Sequence, residues 1–371
     1  MRILVWILVF AANAVYATPP TQFASEVLGQ DIQLSIRLPD SYNHSDDSQY
    51  PVLLVMDGGS HLAHLEGNIL FMSQFAMIPE FIVVGVPSVD RIRYFTPTEA
   101  KGFEGRSGQA GKYLSMLSDE LLPFLHSHYR ASDYTALFGH SLSGLFVSQV
   151  ALNHNGEFNA YLAVSPSLWW DDQWLVKHSK LALKKPLTGY WYLSMATEGG
   201  EMQTAFDAQI QVLSRHAPKS LRWQQEQFSN ETHDSVPLQS SINALRDLFS
   251  DYNAVPEIDV MPLAEIKRFY QNAKDQFNNH VFSLNEQQYI VYGAKAIYEG
   301  HPQWGQEILA EGVARYPRSD NLWDTLAFAY ERLGEKDKAK AAVSKALALA
   351  QHNNSRWLTT ITKNHQRISA L

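Results

Sequence analysis

The six residues Gly139-His140-Ser141-Leu142-Ser143-Gly144 constrain this chain more than any other stretch. They follow an apolar run, Tyr134 to Phe138, that reads as a buried strand. They precede Leu145, Phe146, Val147, Val150 and Ala151, spaced for one face of a helix. A strand, a tight turn with a serine at its apex and then a helix is the context of a nucleophile elbow. Small residues must flank such a serine, because the turn is strained and strand and helix pack closely behind it. The hydroxyl is then held out at the carboxyl edge of the sheet, above a helix N-terminus that favours developing negative charge. The pattern departs from G-x-S-x-G at its last position, where Ser143 stands and glycine follows only at Gly144. The motif implies a serine nucleophile.

From about Asp31 to about Phe249, strand-like and helix-like runs alternate. The strand candidates are Ile32 to Leu38, Val52 to Met56, Phe81 to Val86, Tyr134 to Phe138, Tyr161 to Val164, Tyr190 to Met195 and Arg222 to Phe228. Several are short and continuously apolar, as expected where helices cover both faces of a parallel sheet. Helical periodicity runs from Lys112 to Tyr129 and from Glu201 to Arg215. This alternation around an elbow predicts an α/β-hydrolase fold over residues 18–257.

Past Asp251 strand runs stop and helical, alanine-rich sequence takes over. Trp323, Leu326, Ala327, Tyr330, Gly334, Ala339, Val343 and Ala346 match the spaced positions of a tetratricopeptide repeat. Thirty-four residues earlier stand Tyr289, Tyr292, Gly293, Ala296, Gly300, Gly305, Leu309 and Gly312, and Pro317 closes that unit. Residues 258–371 are therefore expected to form a small all-helical domain of this type, flanked by helices over Leu263 to Phe277 and Arg356 to Ile368. Two units are too few for an independent solenoid, so the tail should pack on the sheet domain. It could also dock a protein partner.

Met1 and Arg2 precede an apolar run from Ile3 to Ala12, and Val15-Tyr16-Ala17 places small residues where a signal peptidase cuts. Residues 1–17 read as a signal peptide, too short in apolar length to span a bilayer. The chain is thus expected to be exported, periplasmic or secreted, with no membrane span after cleavage. It has no cysteine, which suits a periplasm and excludes thiolate chemistry. A formal net charge of −8 without a basic run gives no sign of a nucleic-acid partner.

A serine nucleophile needs a base, a carboxylate to orient that base, and donors for the oxyanion. The chain order in this fold is serine, acid, histidine. The strand Tyr190 to Met195 runs into Ala-Thr-Glu-Gly-Gly-Glu, which makes Glu198 the acid candidate and Glu201 its competitor. His233 follows the last strand in a loop and is the base candidate, whereas His216 precedes a strand. The amide of Leu142 is the first oxyanion donor. The second is expected from Gly58 or Gly59, in the loop Asp57-Gly58-Gly59-Ser60-His61. His61 and His64 could mimic a metal pair but have no carboxylate at ligand spacing, so no metal or cofactor is assigned.

The segments Tyr50-Pro51-Val52-Leu53-Leu54-Val55-Met56-Asp57-Gly58, Arg93-Tyr94-Phe95-Thr96-Pro97-Thr98, Gly139-His140-Ser141-Leu142, Ser165-Pro166-Ser167-Leu168-Trp169-Trp170 and His233-Asp234-Ser235-Val236-Pro237 occur in the order seen in the putative-esterase family, which this chain resembles. That family includes feruloyl esterases, esterase D type enzymes and siderophore trilactone esterases. The Ser-Pro-Ser-Leu-Trp-Trp stretch looks most like the siderophore branch, which hydrolyses enterobactin and bacillibactin. The resemblance implies a carboxylic-ester hydrolase acting on a small-molecule ester through an acyl-enzyme, with Ser141 as nucleophile and His233 as base. Ser143 and the helical tail depart from the best-known members of that branch, and its members differ in whether a carboxylate completes the triad. Trp169, Trp170, Arg91 and Arg93 are the candidates for holding an anionic aromatic group. Within the enzyme class, an acyl transferase or a feruloyl or acetyl carbohydrate esterase is an alternative. Outside it stands an inactive hydrolase-fold scaffold serving the helical domain.

Overall fold

The computed structural model describes residues 21–154, 156–252 and 260–371. The expected boundaries at 17/18 and 257/258 lie outside these residues. Among the described residues nine strands form, β1 (Gln22–Ser25), β2 (Gln30–Gln33), β3 (Ser35–Arg37), β4 (Tyr50–Val55), β5 (Ile82–Gly85), β6 (Ala131–His140), β7 (Ala160–Val164), β8 (Tyr190–Ala196) and β9 (Arg222–Phe228). β1 and β2 make a separate hairpin, and the other seven make one sheet in the order β3-β5-β4-β6-β7-β8-β9. Within the seven-stranded sheet only β3 runs antiparallel to its neighbour. This is a mainly parallel sheet wrapped by helices, an α/β-hydrolase-like fold.

Side-chain alternation explains why both faces are covered. In β4, Val52 and Leu54 point into one apolar cluster while Leu53 and Val55 point into another. A strand buried on both faces has no use for polar residues, hence its unbroken apolar run. The expected strand Ile32–Leu38 is broken at Leu34, because the chain there leaves the hairpin to join the sheet edge. The expected helix Lys112–Tyr129 runs from Ala110 to His128 with a wider turn over Met116–Leu121. Pro123 lacks the N–H that an even α-helix would donate one turn back, and the irregular turn lies just before it. The stretch expected to be a loop after Asp57 is instead the start of a helix, Gly58–Gln74, whose Leu62, Leu65, Ile69 and Met72 face the core.

Beyond residue 260 the structure is all helical. After Leu263–Asn272 come the pair Glu286–Tyr298 and Pro302–Arg315 and the pair Asp320–Arg332 and Lys336–His352, then Leu358–Ser369. Each helix of the second pair begins 34 residues after its counterpart in the first. Small residues stand where the helices cross. A Cβ on Gly293 would lie 2.5 Å from Leu309, and its counterpart in the second pair is the fully buried Ala327.

This helical unit shares a core with the sheet. Phe282 meets Tyr134 at 5.0 Å and Phe249 at 5.6 Å between ring centroids, and Phe277 stacks on Phe249. At the opposite end Arg318 forks onto Asp46 through two 2.7 Å hydrogen bonds. Tyr134 and Phe249 belong to the sheet layer, and Phe277 and Phe282 to the segment that leads into the helix pairs. Truncating Phe282 to alanine should therefore cost about 3–5 kcal/mol and lower the unfolding transition of both parts together in denaturant melts followed by near-UV and far-UV signals. A loss confined to the helical signal would show that the two cores are independent.

Candidate active site

Ser141 sits between β6 and the helix Leu142–Asn153 with φ 62° and ψ −118°, a backbone conformation that a residue with a Cβ rarely adopts. The close packing behind it falls on two glycines. A Cβ on Gly139 would come within 2.3 Å of the Ser143 carbonyl oxygen, and one on Gly144 within 2.9 Å of that of Val164. Ser143 is not at the tight point, so its side chain fits. Its buried hydroxyl accepts from the His140 amide at 2.9 Å and lies 2.8 Å from both Asp57 Oδ2 and the His140 carbonyl, between which its single proton is shared.

Asp57 links the elbow to the cleft. It is buried, holds a left-handed backbone (φ 54°) just before the helix Gly58–Gln74, and takes Arg91 in a forked ion pair at 2.9 and 3.1 Å. Two donors thus converge on one desolvated carboxylate, and a fork of this kind fixes the guanidinium plane. Arg91 stays partly exposed at the cleft wall.

The cleft has a volume of about 770 Å³, and both Ser141 and His233 line it. Nδ1 of His233 donates to Glu198 Oε2 at 2.8 Å, which leaves Nε2 as the basic nitrogen. Glu198 Oε1 accepts from the buried Ser165 hydroxyl at 2.5 Å. The Ser141 hydroxyl is hydrogen-bonded to Ser167 at 3.3 Å. Of the two acid candidates, Glu198 meets His233. Glu201 lies in the first turn of the helix Gly200–His216 and lines a neighbouring cavity.

Electrostatics separate His233 from the imidazoles around it. The Glu198 hydrogen bond and charge raise the His233 pKa above the ordinary value, against the opposing effect of burial. His140, whose ring centroid is 4.5 Å from that of His233, is pushed down to about 3 by burial and by its neighbours His233 and His61. His64 is pushed down to about 4, also chiefly by burial, and His61 is lowered for the same reason. His61 Nδ1 and His64 Nε2 are hydrogen-bonded to each other at 3.2 Å. Three neutral rings therefore line the cleft beside the one imidazole that favours its proton.

Other sequence expectations need correction. The Gly58 amide donates to the Val86 carbonyl at 3.0 Å, so it is not a free donor. Gly58 is required because a Cβ there would lie 2.6 Å from the backbone of Gly85, not because a substrate approaches it. Gly59 and Leu142 each stand in the first turn of a helix, where amides have no intrahelical acceptor. Arg93 turns back to Asp90 at 3.2 Å and is not among the residues lining the Ser141 cleft. Trp170 is buried, donates its indole N–H to the Thr98 carbonyl at 3.3 Å, packs on Phe103 and lines a neighbouring cavity, not the Ser141 cleft. Trp169 is part-buried and faces the neighbouring cavity with Glu201. The sequence reading did not assign roles to Asp57, Ser143, Ser165 and Ser167. Asp57, Ser165 and Ser167 stand just past the carboxyl ends of β4 and β7, which is the positional signal that could have found them.

The strand order, the elbow and the crevice at the strands' carboxyl ends define an α/β-hydrolase-like protein. Residues 25–237 match the family described as "Putative esterase", and the chain belongs to it, among the esterase-type hydrolases. The ferri-bacillibactin esterase BesA of Bacillus subtilis is 25% identical over 215 residues, covering 50% of this chain and 74% of that protein. Among solved structures, an IroE-like serine hydrolase from Shewanella oneidensis superposes with a TM-score of 0.71 at 23% identity, covering 79% of this chain and 98% of its own. The siderophore hydrolase EstB of Aspergillus nidulans gives a TM-score of 0.53 at 17% identity, over 62% of this chain and 94% of its own. At these identities the two structures show a shared fold.

The Glu198 contact makes a prediction for titration. By NMR, the His233 imidazole should titrate above the usual value of about 6.5, and Glu198→Gln should move that midpoint down by removing the interaction that raises it. An unchanged midpoint would mean that Glu198 does not act on this ring.

Proposed function

We propose that this protein is a serine carboxylic-ester hydrolase working through an acyl-enzyme. The observation that carries the reading is the strained, positive-φ backbone at Ser141, opening on the same cleft as a His233 ring held by Glu198. Strain of this kind persists only where surrounding packing imposes it.

In this reading, substrate entry draws the Ser141 hydroxyl from Ser167 toward His233 Nε2; such bonds are often long before substrate binds. Nε2 takes the proton as Oγ attacks the ester carbonyl. The amides of Leu142 and Gly59 receive the oxyanion, and Glu198 stabilises the imidazolium. The proton passes to the departing alkoxide, leaving an ester on Ser141. Water, deprotonated by the same nitrogen, then releases the acid and restores the hydroxyl. Because the base must be neutral, kcat/KM should fall as pH drops through the raised His233 pKa.

For substrate we propose siderophore lactones or related aryl esters, supported by the likeness to BesA and by Arg91, a fixed and partly exposed cation in the cleft. We further propose that residues 1–17 are a signal peptide and that the protein acts after export, in the periplasm or outside the cell. Among the described residues no helix is long and apolar enough to cross a membrane. The C-terminal helix pairs are proposed to be tetratricopeptide-like, on the strength of their 34-residue offset and small crossing residues.

A fluorophosphonate probe should label the protein on Ser141, and Ser141→Ala and His233→Ala should abolish the adduct. The same variants should lower ester turnover by about 10³-fold or more. Turnover that survives Ser141→Ala would sink the mechanism.

A further inference from the structure

A further cavity of about 420 Å³ lies between the sheet layer and the C-terminal helices, apart from the Ser141 cleft. On the sheet side it is walled by the short helical turn Asp40–His44, by Glu80 and by the end of the helix Gly58–Gln74. On the other side stand the starts of the repeated helices, where Glu286 and Asp320 occupy equivalent positions 34 residues apart.

Four carboxylates, Asp40, Glu80, Glu286 and Asp320, line this cavity, and Glu286 and Glu80 are engaged. Glu286 accepts from Ser319 at 2.5 Å and pairs with His44 at 2.6 Å. Burial opposes protonation of His44, and the bond and charge of Glu286 with the charges of Asp320 and Glu80 more than offset it, so its pKa is raised. Glu80 accepts from the Ser41 hydroxyl at 2.6 Å; burial, with Glu286 and Asp40 nearby, pushes its pKa up to about 7.

Asp40 is exposed, whereas Asp320 is buried. Asp320 lines the cavity at 4% exposure, and its Oδ2 is buried without a hydrogen-bond partner. His44 acts on Asp320 through charge alone, and a buried carboxylate oxygen with no hydrogen-bond donor is costly, so Oδ2 calls for a cationic donor. A metal ion does not fit, since among the described residues no group of three or more ligating side chains is arranged to hold one.

We propose that this cavity binds an organic ammonium or guanidinium group, which donates to Asp320 while its alkyl stem lies along Leu70 and Trp357. Those two apolar side chains wall the same cavity and are each 41% exposed. The Trp357 ring already carries a guanidinium at the rim, that of Arg356, 5.2 Å from its centroid. The stem and head of a diamine, or of a lysine or arginine side chain, match an apolar mouth over an acidic floor.

Calorimetric titration of the full chain tests this with cadaverine, spermidine and the capped residues N-acetyl-lysine methylamide and N-acetyl-arginine methylamide, at about 0.15 M salt to screen surface charge. Saturable binding of cadaverine and spermidine alone would identify a free polyamine as the source, and binding of the capped residues as well would identify a basic side chain. Asp320→Asn should weaken binding about tenfold or more, and Arg356→Ala, on an exposed residue, should strengthen it by removing a like charge. Ester turnover should stay unchanged in both. The proposal fails if no probe saturates, or if Asp320→Asn folds and binds as the original does. Should that variant not fold, weakened binding in Arg356→Ala would be the contradicting result.

Discussion

Everything at the candidate site depends on how closely the helix Leu142–Asn153 approaches β6 and β7. With Gly139 against the Ser143 carbonyl and Gly144 against that of Val164, no side chain fits at either position, and the turn between is driven to a positive φ at Ser141. The cost of that conformation, of order 1–3 kcal/mol, is offset by the packing on both sides. What the chain obtains is a hydroxyl held at the carboxyl edge of the sheet beside the first amides of a helix.

The polar groups beneath this turn are connected. Ser143 reaches Asp57, and Asp57 fixes Arg91, so the serine that breaks the usual elbow pattern also helps set the cation at the cleft wall. On the other side Ser165, just past the end of β7, orients Glu198, which in turn orients His233. Two serines and two carboxylates therefore place the charged and basic groups around Ser141. The neighbouring imidazoles, held neutral by burial, line the cleft without competing for the proton.

Much of this was legible in the sequence. The apolar run of β4, the β6–elbow–helix junction and the order Ser141, Glu198, His233 all report local constraints, and local constraints leave local signatures. What was not legible depends on tertiary proximity. The glycine pair after Asp57 reads as a loop, yet it opens a helix whose first residue must be glycine because of Gly85, a partner distant in sequence. Trp169 and Trp170 read as candidates for holding an anionic aromatic group, but both line the neighbouring cavity beside Glu201 and not the cleft that holds Ser141. Arg91 and Arg93 look interchangeable until Asp57 takes one and Asp90 the other. The two residue boundaries expected at 17/18 and 257/258 fall outside the described residues.

The central claim is that a covalent ester forms on Ser141, and turnover of an activated aryl ester stopped by acid within the first catalytic cycles tests it most directly. Intact-protein and peptide mass spectrometry should find the acyl group on the peptide containing Ser141, with alcohol released in a burst equal to the enzyme present. Steady hydrolysis with no acylated protein at any time, or with the acyl group on another residue, would contradict the account.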